Sequence, residues 1–205
     1  MIYVVDDDAS VRRALQNLFA SMGLAATAFG STEEFLGAPR AEVPSCLVLD
    51  IRLPGVGGLE FQEDLARRGL RIPIVFITAH GDIPMTARAM KAGAVEFLTK
   101  PLQRDGLLAA VQEAIERDRR ARAAAQGLAT LQGRFATLSG REREVMALVT
   151  AGHGNKQIAG QLGIAEITVK VHRRQAMLKM GAGSLAELVR MAAQLEPPVT
   201  REHET

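Results

Sequence analysis

Residues 46–55 read CLVLDIRLPG. Four residues suited to a buried strand run straight into an aspartate, and the chain then turns through Pro54 and Gly55. A continuous apolar run, with no polar residue at every second place, is how a strand covered on both faces of a parallel sheet reads. Further short apolar runs are IYVV (2–5), LAATAF (24–29), IVFIT (74–78) and VEFLT (95–99), and at least three of the five are continuous. Amphipathic stretches lie between these runs. Val11, Leu15, Leu18, Phe19 and Met22 fall on one helical face, and Gly23 follows as a stop. Residues 31–34 (STEE) have the spacing of a capping box before a short second helix, and 59–68, 84–92 and 103–120 supply three more. Alternating strands and helices predict an α/β, doubly wound, five-stranded parallel sheet.

From Leu138 onward the pattern is helical only. Residues 139–142 (SGRE) and 184–187 (SLAE) have capping-box spacing, Asn155 is placed to cap a helix that Gly163 ends, and a further helix spans 166–180. Between the two regions, residues 116–136 are rich in Ala and Arg. They read as a helical extension turning into a linker, interrupted by Gly127 and Gly133. The chain therefore divides into 1–115, a helical linker at 116–136, an all-α four-helix domain at 137–195 and a tail at 196–205 expected to be disordered.

The totals agree with two soluble domains: 205 residues, 47% hydrophobic and 23% charged. No apolar run approaches the roughly 18–20 residues that a bilayer requires. The opening MIYVVDDD has neither a basic segment nor an apolar one of secretory type, so no leader is expected. Cys46 stands alone, reads as a small buried hydrophobe and fits a reducing cytosol, which makes a cytoplasmic place the expectation. Residues 1–115 carry 11 Lys/Arg against 14 Asp/Glu, and residues 116–205 carry 14 against 9. An acidic first half and a basic second half point the second half toward nucleic acid.

In an α/β sheet the loops at the carboxyl ends of the strands converge on one crevice. Here those ends supply Asp6, Asp7 and Asp8 from the first run, Asp50 from the third, Thr78 from the fourth and Lys100 after the fifth. Clustered carboxylates repel one another unless a cation offsets them, and hard oxygen ligands suit Mg²⁺. With Thr78 and Lys100 nearby, the set fits a phosphoryl group, with Asp50 as the nucleophile that forms an acyl phosphate. Asp8 taken alone serves equally well as a helix N-cap. A dinucleotide site is disfavoured, because DDDAS has no glycine and would repel a pyrophosphate.

VVDDDASVRRAL, LVLDIRLPGVGGLE, FITAHGD and VEFLTKPL resemble the signature segments of a response-regulator receiver domain, and residues 78–101 resemble its FixJ-type branch. That resemblance implies a CheY-like sheet of order 2-1-3-4-5 and makes Asp50 the phosphoacceptor. It implies Mg²⁺ held by Asp7, Asp50 and the backbone carbonyl of Arg52, with Asp6 assisting. It makes Thr78 and Lys100 the phosphoryl sensors, Phe97 the aromatic switch and Lys100-Pro101 a cis peptide, and it puts His80 at a place that tunes phosphoryl lifetime, where an exposed loop histidine is an equal reading. Gly57 stands where relatives often carry Ser or Asp, which is expected to loosen the loop after Asp50.

In the second half, Lys170, Arg173, Arg174 and Lys179 against Glu166 give one helix a net +3. A short helix precedes it across a turn, the arrangement of a helix-turn-helix. Residues 138–192 resemble the LuxR-type DNA-binding domain almost end to end. By that resemblance Lys170, Val171 and Arg174 reach base edges, and Asn155, Lys156, Thr168 and Lys179 contact phosphates. Ala165 stands where relatives have a capping Ser, and Gly140 where they often have Pro.

Together these readings describe a transcriptional response regulator. A sensor histidine kinase would phosphorylate it, and it would dimerise through the face of helix four, strand five and helix five. It would bind double-stranded operator DNA, with RNA polymerase as a further partner to consider. Two other readings stay open. An aspartyl-phosphate phosphohydrolase would need an acid/base Asp two residues after the nucleophile, where Arg52 stands. A phosphorylation-switched interaction module would lack DNA binding.

Overall fold

The computed structural model describes residues 1–79, 81 and 83–195, so His80 and the tail at 196–205 lie outside the described residues. Five strands, β1 (Ile2–Val5), β2 (Ala26–Phe29), β3 (Cys46–Asp50), β4 (Ile74–Thr78) and β5 (Glu96–Thr99), form one sheet of order β2-β1-β3-β4-β5. Every pairing is parallel. The helices between them are α1 (Ala9–Ala20), α2 (Thr32–Gly37), α3 (Gly58–Arg67) and α4 (Ile83–Lys91), and α5 (Arg104–Ala136) follows.

The unbroken apolar runs are explained by two cores, one on each side of the sheet. Ile2, Val4, Cys46, Val48, Val75 and Ile77 face α1 and α5, where Leu15, Phe19, Leu107 and Val111 cover them. The alternate residues Tyr3, Val5, Leu47, Leu49, Ile74 and Phe76 face Phe35 of α2, Phe61 and Leu65 of α3 and Ala89 of α4. Because side chains alternate between faces, a strand buried on both must be apolar at every position. Burial pushes the Cys46 thiol up to about 12, which leaves it a hydrophobe rather than a nucleophile.

The remaining elements are α6 (Gly140–Thr150), α7 (Asn155–Leu162), α8 (Glu166–Met180) and α9 (Leu185–Leu195). Val145 and Val149 of α6, Ile158 of α7, Val169, Ala176 and Met180 of α8 and Leu188 of α9 form a core of their own, joined by Leu131 from the end of α5. The chain divides into two compact units between Arg122 and Ala123, each with its own core.

Three local expectations need correction. Residues 116–136 continue α5 without a break: Gly127 and Gly133 are helical, since each glycine costs only about 1 kcal/mol in a segment otherwise rich in Ala and Arg. Asn155 is the first residue of α7 and not its cap. Gly154 holds the cap position, and its N–H donates to Gln157 Oε1 at 2.8 Å. The capping box at 139–142 is complete, with Ser139 and Glu142 each accepting from the other's N–H. At 31–34 and 184–187 the serine caps as expected, but Glu34 and Glu187 reach one residue further back, to the N–H groups of Gly30 and Gly183.

Candidate functional site: an acidic pocket and a basic helix

The carboxyl edge of the sheet gathers the residues expected there. Asp6, directly after β1, is fully buried, Asp50 at the end of β3 is nearly so, and Asp7 is exposed. One oxygen from each lies within 4.8 Å of the other two. Three converging carboxylates form a hard-oxygen donor set open on the side of Asp7, which fits a small divalent cation. Lys100 Nζ bridges two of them, 2.7 Å from Asp6 Oδ2 and 2.6 Å from Asp50 Oδ2. The remaining oxygens are engaged by backbone: Asp8 N–H donates to Asp6 Oδ1 at 2.9 Å and Arg52 N–H to Asp50 Oδ1 at 2.9 Å.

Burial pushes the Asp6 carboxyl above its ordinary range, against the opposing pull of Lys100. Burial works on Lys100 in the opposite sense, but its hydrogen bonds to Asp50 and Asp6 outweigh that and hold the ammonium above its ordinary value. The lysine is therefore the pocket's resident cation. Asp8 caps α1: its Oδ1 accepts from Ser10 N–H at 2.7 Å, and that bond holds its carboxyl below the ordinary range.

Thr78 is fully buried at the end of β4, and Phe97 on β5 is half-buried. The Lys100-Pro101 peptide is cis. Arg52 follows Asp50 with an exposed side chain.

Three residues of this site escaped the sequence reading. Arg12 Nη1 donates to the backbone carbonyls of Asp6 at 2.6 Å and Asp7 at 2.9 Å, so it fixes the turn that carries both carboxylates. After Asp50, Gly55 takes the positive φ of the loop (84°), and Gly58, the first residue of α3, is closely approached by the Asp50 backbone, unlike Gly57. A Cβ at 58 would lie 2.5 Å from the Asp50 carbonyl oxygen, whereas one at 57 would make only ordinary contacts. At Gly81 a Cβ would come 2.6 Å from Phe97 Cε1, so the aromatic ring lies directly on that backbone.

In the second unit α7 and α8 make the helix-turn-helix. Gly163 ends α7 in the left-handed conformation, and Ala165 begins α8 without a side-chain cap. Val169, Ala176 and Met180 anchor α8 in the core, so the opposite side is exposed. Lys170, Val171 and Arg174 stand together on that exposed side. Lys156 is exposed on α7, while Thr168 is half-buried on the flank of α8. Asn155 Oδ1 accepts a hydrogen bond from Arg173 Nη1 at 3.3 Å, which ties α7 to α8. Lys179, expected at a phosphate, has its Nζ 2.6 Å from Glu142 Oε2, in an ion pair between α8 and α6. Glu142 is shielded from solvent, which reduces screening of its attraction for Lys179, whose side chain stays 37% exposed.

The profile of the response regulator receiver domain matches residues 2–112, more than half of the chain. The chain belongs to the response-regulator family. A second profile, that of the bacterial regulatory proteins of the luxR family, matches residues 136–192. This response regulator is 56% identical over 195 residues to Nodulation protein W of Bradyrhizobium diazoefficiens, covering 95% of this chain and 86% of that one. It is 43% identical over 194 residues to the Transcriptional regulatory protein FixJ of the same organism, covering 93% of each. Among solved structures, the response regulator StyR matches with a TM-score of 0.85 at 50% identity, covering 94% of this chain and 98% of that one. Full-length FixJ from B. japonicum matches with a TM-score of 0.55 at 39% identity, covering 95% and 96%. Receiver and LuxR-type domain together make this a DNA-binding transcriptional response regulator. Among the described residues, no helix is long and apolar enough to cross a membrane.

Proposed function

We propose that Asp50 is the phosphoacceptor of this response regulator and that its phosphorylation controls operator binding by the α7–α8 motif. The observation that carries this reading is the bridge of Lys100 between Asp6 and Asp50, with Asp7 within 4.8 Å, at the carboxyl edge of the sheet. An Asp50 carboxylate oxygen supplies the electron pair for a new O–P bond. The P–N bond of a phosphohistidine on a sensor kinase breaks, and its electron pair returns to the imidazole. Asp7, Asp50 and the carbonyl of Arg52 would hold Mg²⁺, with Asp6 assisting, and the ion would neutralise charge on the phosphoryl oxygens.

The chain's own groups do the rest. Lys100 exchanges a carboxylate for a phosphoryl oxygen, which keeps its ammonium paired throughout. The Thr78 hydroxyl donates to another oxygen, and Phe97 follows it, altering the face of α4, β5 and α5 on which two copies pair. Arg52, two residues after Asp50, cannot act as a general acid or base, so the acyl phosphate is hydrolysed slowly and the protein does not turn over like an enzyme. Lys170, Val171 and Arg174 read base edges, while Lys156, Asn155 and Thr168 lie nearer the backbone. DNA as the partner supports a bacterial cytoplasmic location.

Asp50→Asn tests the assignment. It should abolish both phosphoryl labelling by the cognate kinase and the response to beryllofluoride with Mg²⁺. Labelling that survives the change would place the acceptor elsewhere.

A further inference from the structure

Ile167 occupies the first turn of α8 with 68% of its surface exposed. At about 100° per residue it lies about 180° around the helix from Ala176, which is fully buried. It therefore stands at the middle of the face that the core leaves free, with exposed Lys170, Val171 and Arg174 on the next turns of the same face. A single exposed aliphatic residue is ordinary. A β-branched one at the centre of a cationic helix face is not: it contributes nothing to the domain core, and Lys or Arg would suit the helix better. Where local preference is broken without a packing gain, a functional reason is the first to examine. Leu178, also exposed on this side, is about 16 Å further along the axis, beyond the amino-terminal turns by which such helices enter the groove.

We infer that Ile167 is a specificity-determining residue, which packs on the C5 methyl group of a thymine in the major groove. The occupant is duplex DNA and not a second protein, because Lys170 and Arg174, against the one acid Glu166 that lies 3.4 Å from Lys170, leave net positive charge beside the isoleucine, suited to phosphates and guanine edges. Of the base edges in that groove, the thymine methyl is the apolar one, so it is the one an aliphatic side chain can recognise. The inference rests on α8 entering the groove and goes beyond it by assigning a base.

The test uses the full-length protein with beryllofluoride and Mg²⁺, and a duplex selected by the wild type from a randomised pool. Each thymine is replaced in turn by deoxyuridine, which removes only the methyl group. At one position the wild type should lose about fourfold in affinity, the worth of one buried methyl. Ile167→Ala should already have lost that much and should be insensitive there, while Ile167→Val should retain most of the discrimination. Unchanged melting curves will show that both variants fold. A scan in which the residue 167 change and every deoxyuridine change simply add, or a selection that enriches no sequence, overturns the inference. So does a loss in Ile167→Ala that tracks a change in self-association. Lys170→Ala with Arg174→Ala separates the levels. If that variant binds weakly and the thymine scan is flat, Ile167 alone is misassigned. If it binds normally, the placing of α8 in the groove falls as well.

Discussion

Lys100 sits 2.7 Å from Asp6 and 2.6 Å from Asp50, and Arg12 grips the same loop through its backbone. The two cations act on different problems. Lys100 offsets the charge of the carboxylates, whereas Arg12 fixes the direction in which they point by holding the carbonyls behind them. Groups that orient metal ligands typically matter 10- to 100-fold in metal affinity. Arg12→Ala should therefore weaken Mg²⁺ binding about tenfold or more, as followed by a Mg²⁺ titration of backbone amide signals, without changing the number of ligands. Arg12→Lys should fall between, since it keeps the charge but not the planar fork. A wild-type Mg²⁺ affinity in Arg12→Ala would refute the orienting role. Asp6, Asp50, Thr78 and Lys100 were legible in the sequence because each interrupts or follows an apolar run at a strand end. Arg12 was not, because carbonyl acceptors leave no residue-type signal and a cation on a first helix looks like any solvated one. Gly58 was hidden for a related reason: its requirement comes from the Asp50 backbone passing 2.5 Å from where a Cβ would be.

Between elements, the α6–α8 lock can be tested by pH. Lys179 first, and the N–H of Ser139 after it, hold the Glu142 carboxyl below its ordinary range. A depressed folded value means stability that is present above the unfolded value and is lost as pH falls through the folded one. Glu142→Gln keeps an acceptor for the capping bond but removes the charge. Its melting temperature should lie below that of the wild type at neutral pH, and the gap should close as pH drops below the ordinary carboxylate range, as measured by thermal unfolding at a series of pH values. A gap that persists in acid would assign the defect to packing. The pair itself was not legible in the sequence: one-dimensional spacing places Lys179 among the cations of α8, and only the fold brings Glu142 to it. The length of α5 was likewise underestimated, because a glycine in sequence signals a break, while the tally over the whole segment, Ala and Arg against two glycines, favours continuing the helix. Strand positions, by contrast, were read closely: β1, β3 and β4 are buried on both faces and leave an unbroken apolar run, while the edge strands β2 and β5 are only partly buried.

At the scale of the molecule, one unit carries the candidate phosphorylation site and a second carries the helix-turn-helix, and each has a core of its own. With separate cores, a change at Asp50 need not be transmitted through packing to reach DNA; it is enough that it pairs two chains. Joining two DNA-binding units on one body raises the effective concentration of the second at its half-site, a gain of about 100-fold or more with no new contact to DNA. The gain depends on the second half-site being present. Beryllofluoride with Mg²⁺ should therefore raise affinity by about that factor on a duplex with two half-sites and hardly at all on a duplex with one, with Asp50→Asn indifferent on both. Fluorescence anisotropy at fixed salt measures this, and salt must be held constant because phosphate contacts make affinity fall steeply with ionic strength. Equal gains on the two duplexes would mean that phosphorylation alters the DNA-binding unit of a single chain, and pairing would then be a consequence of occupancy on DNA and not the means of activation.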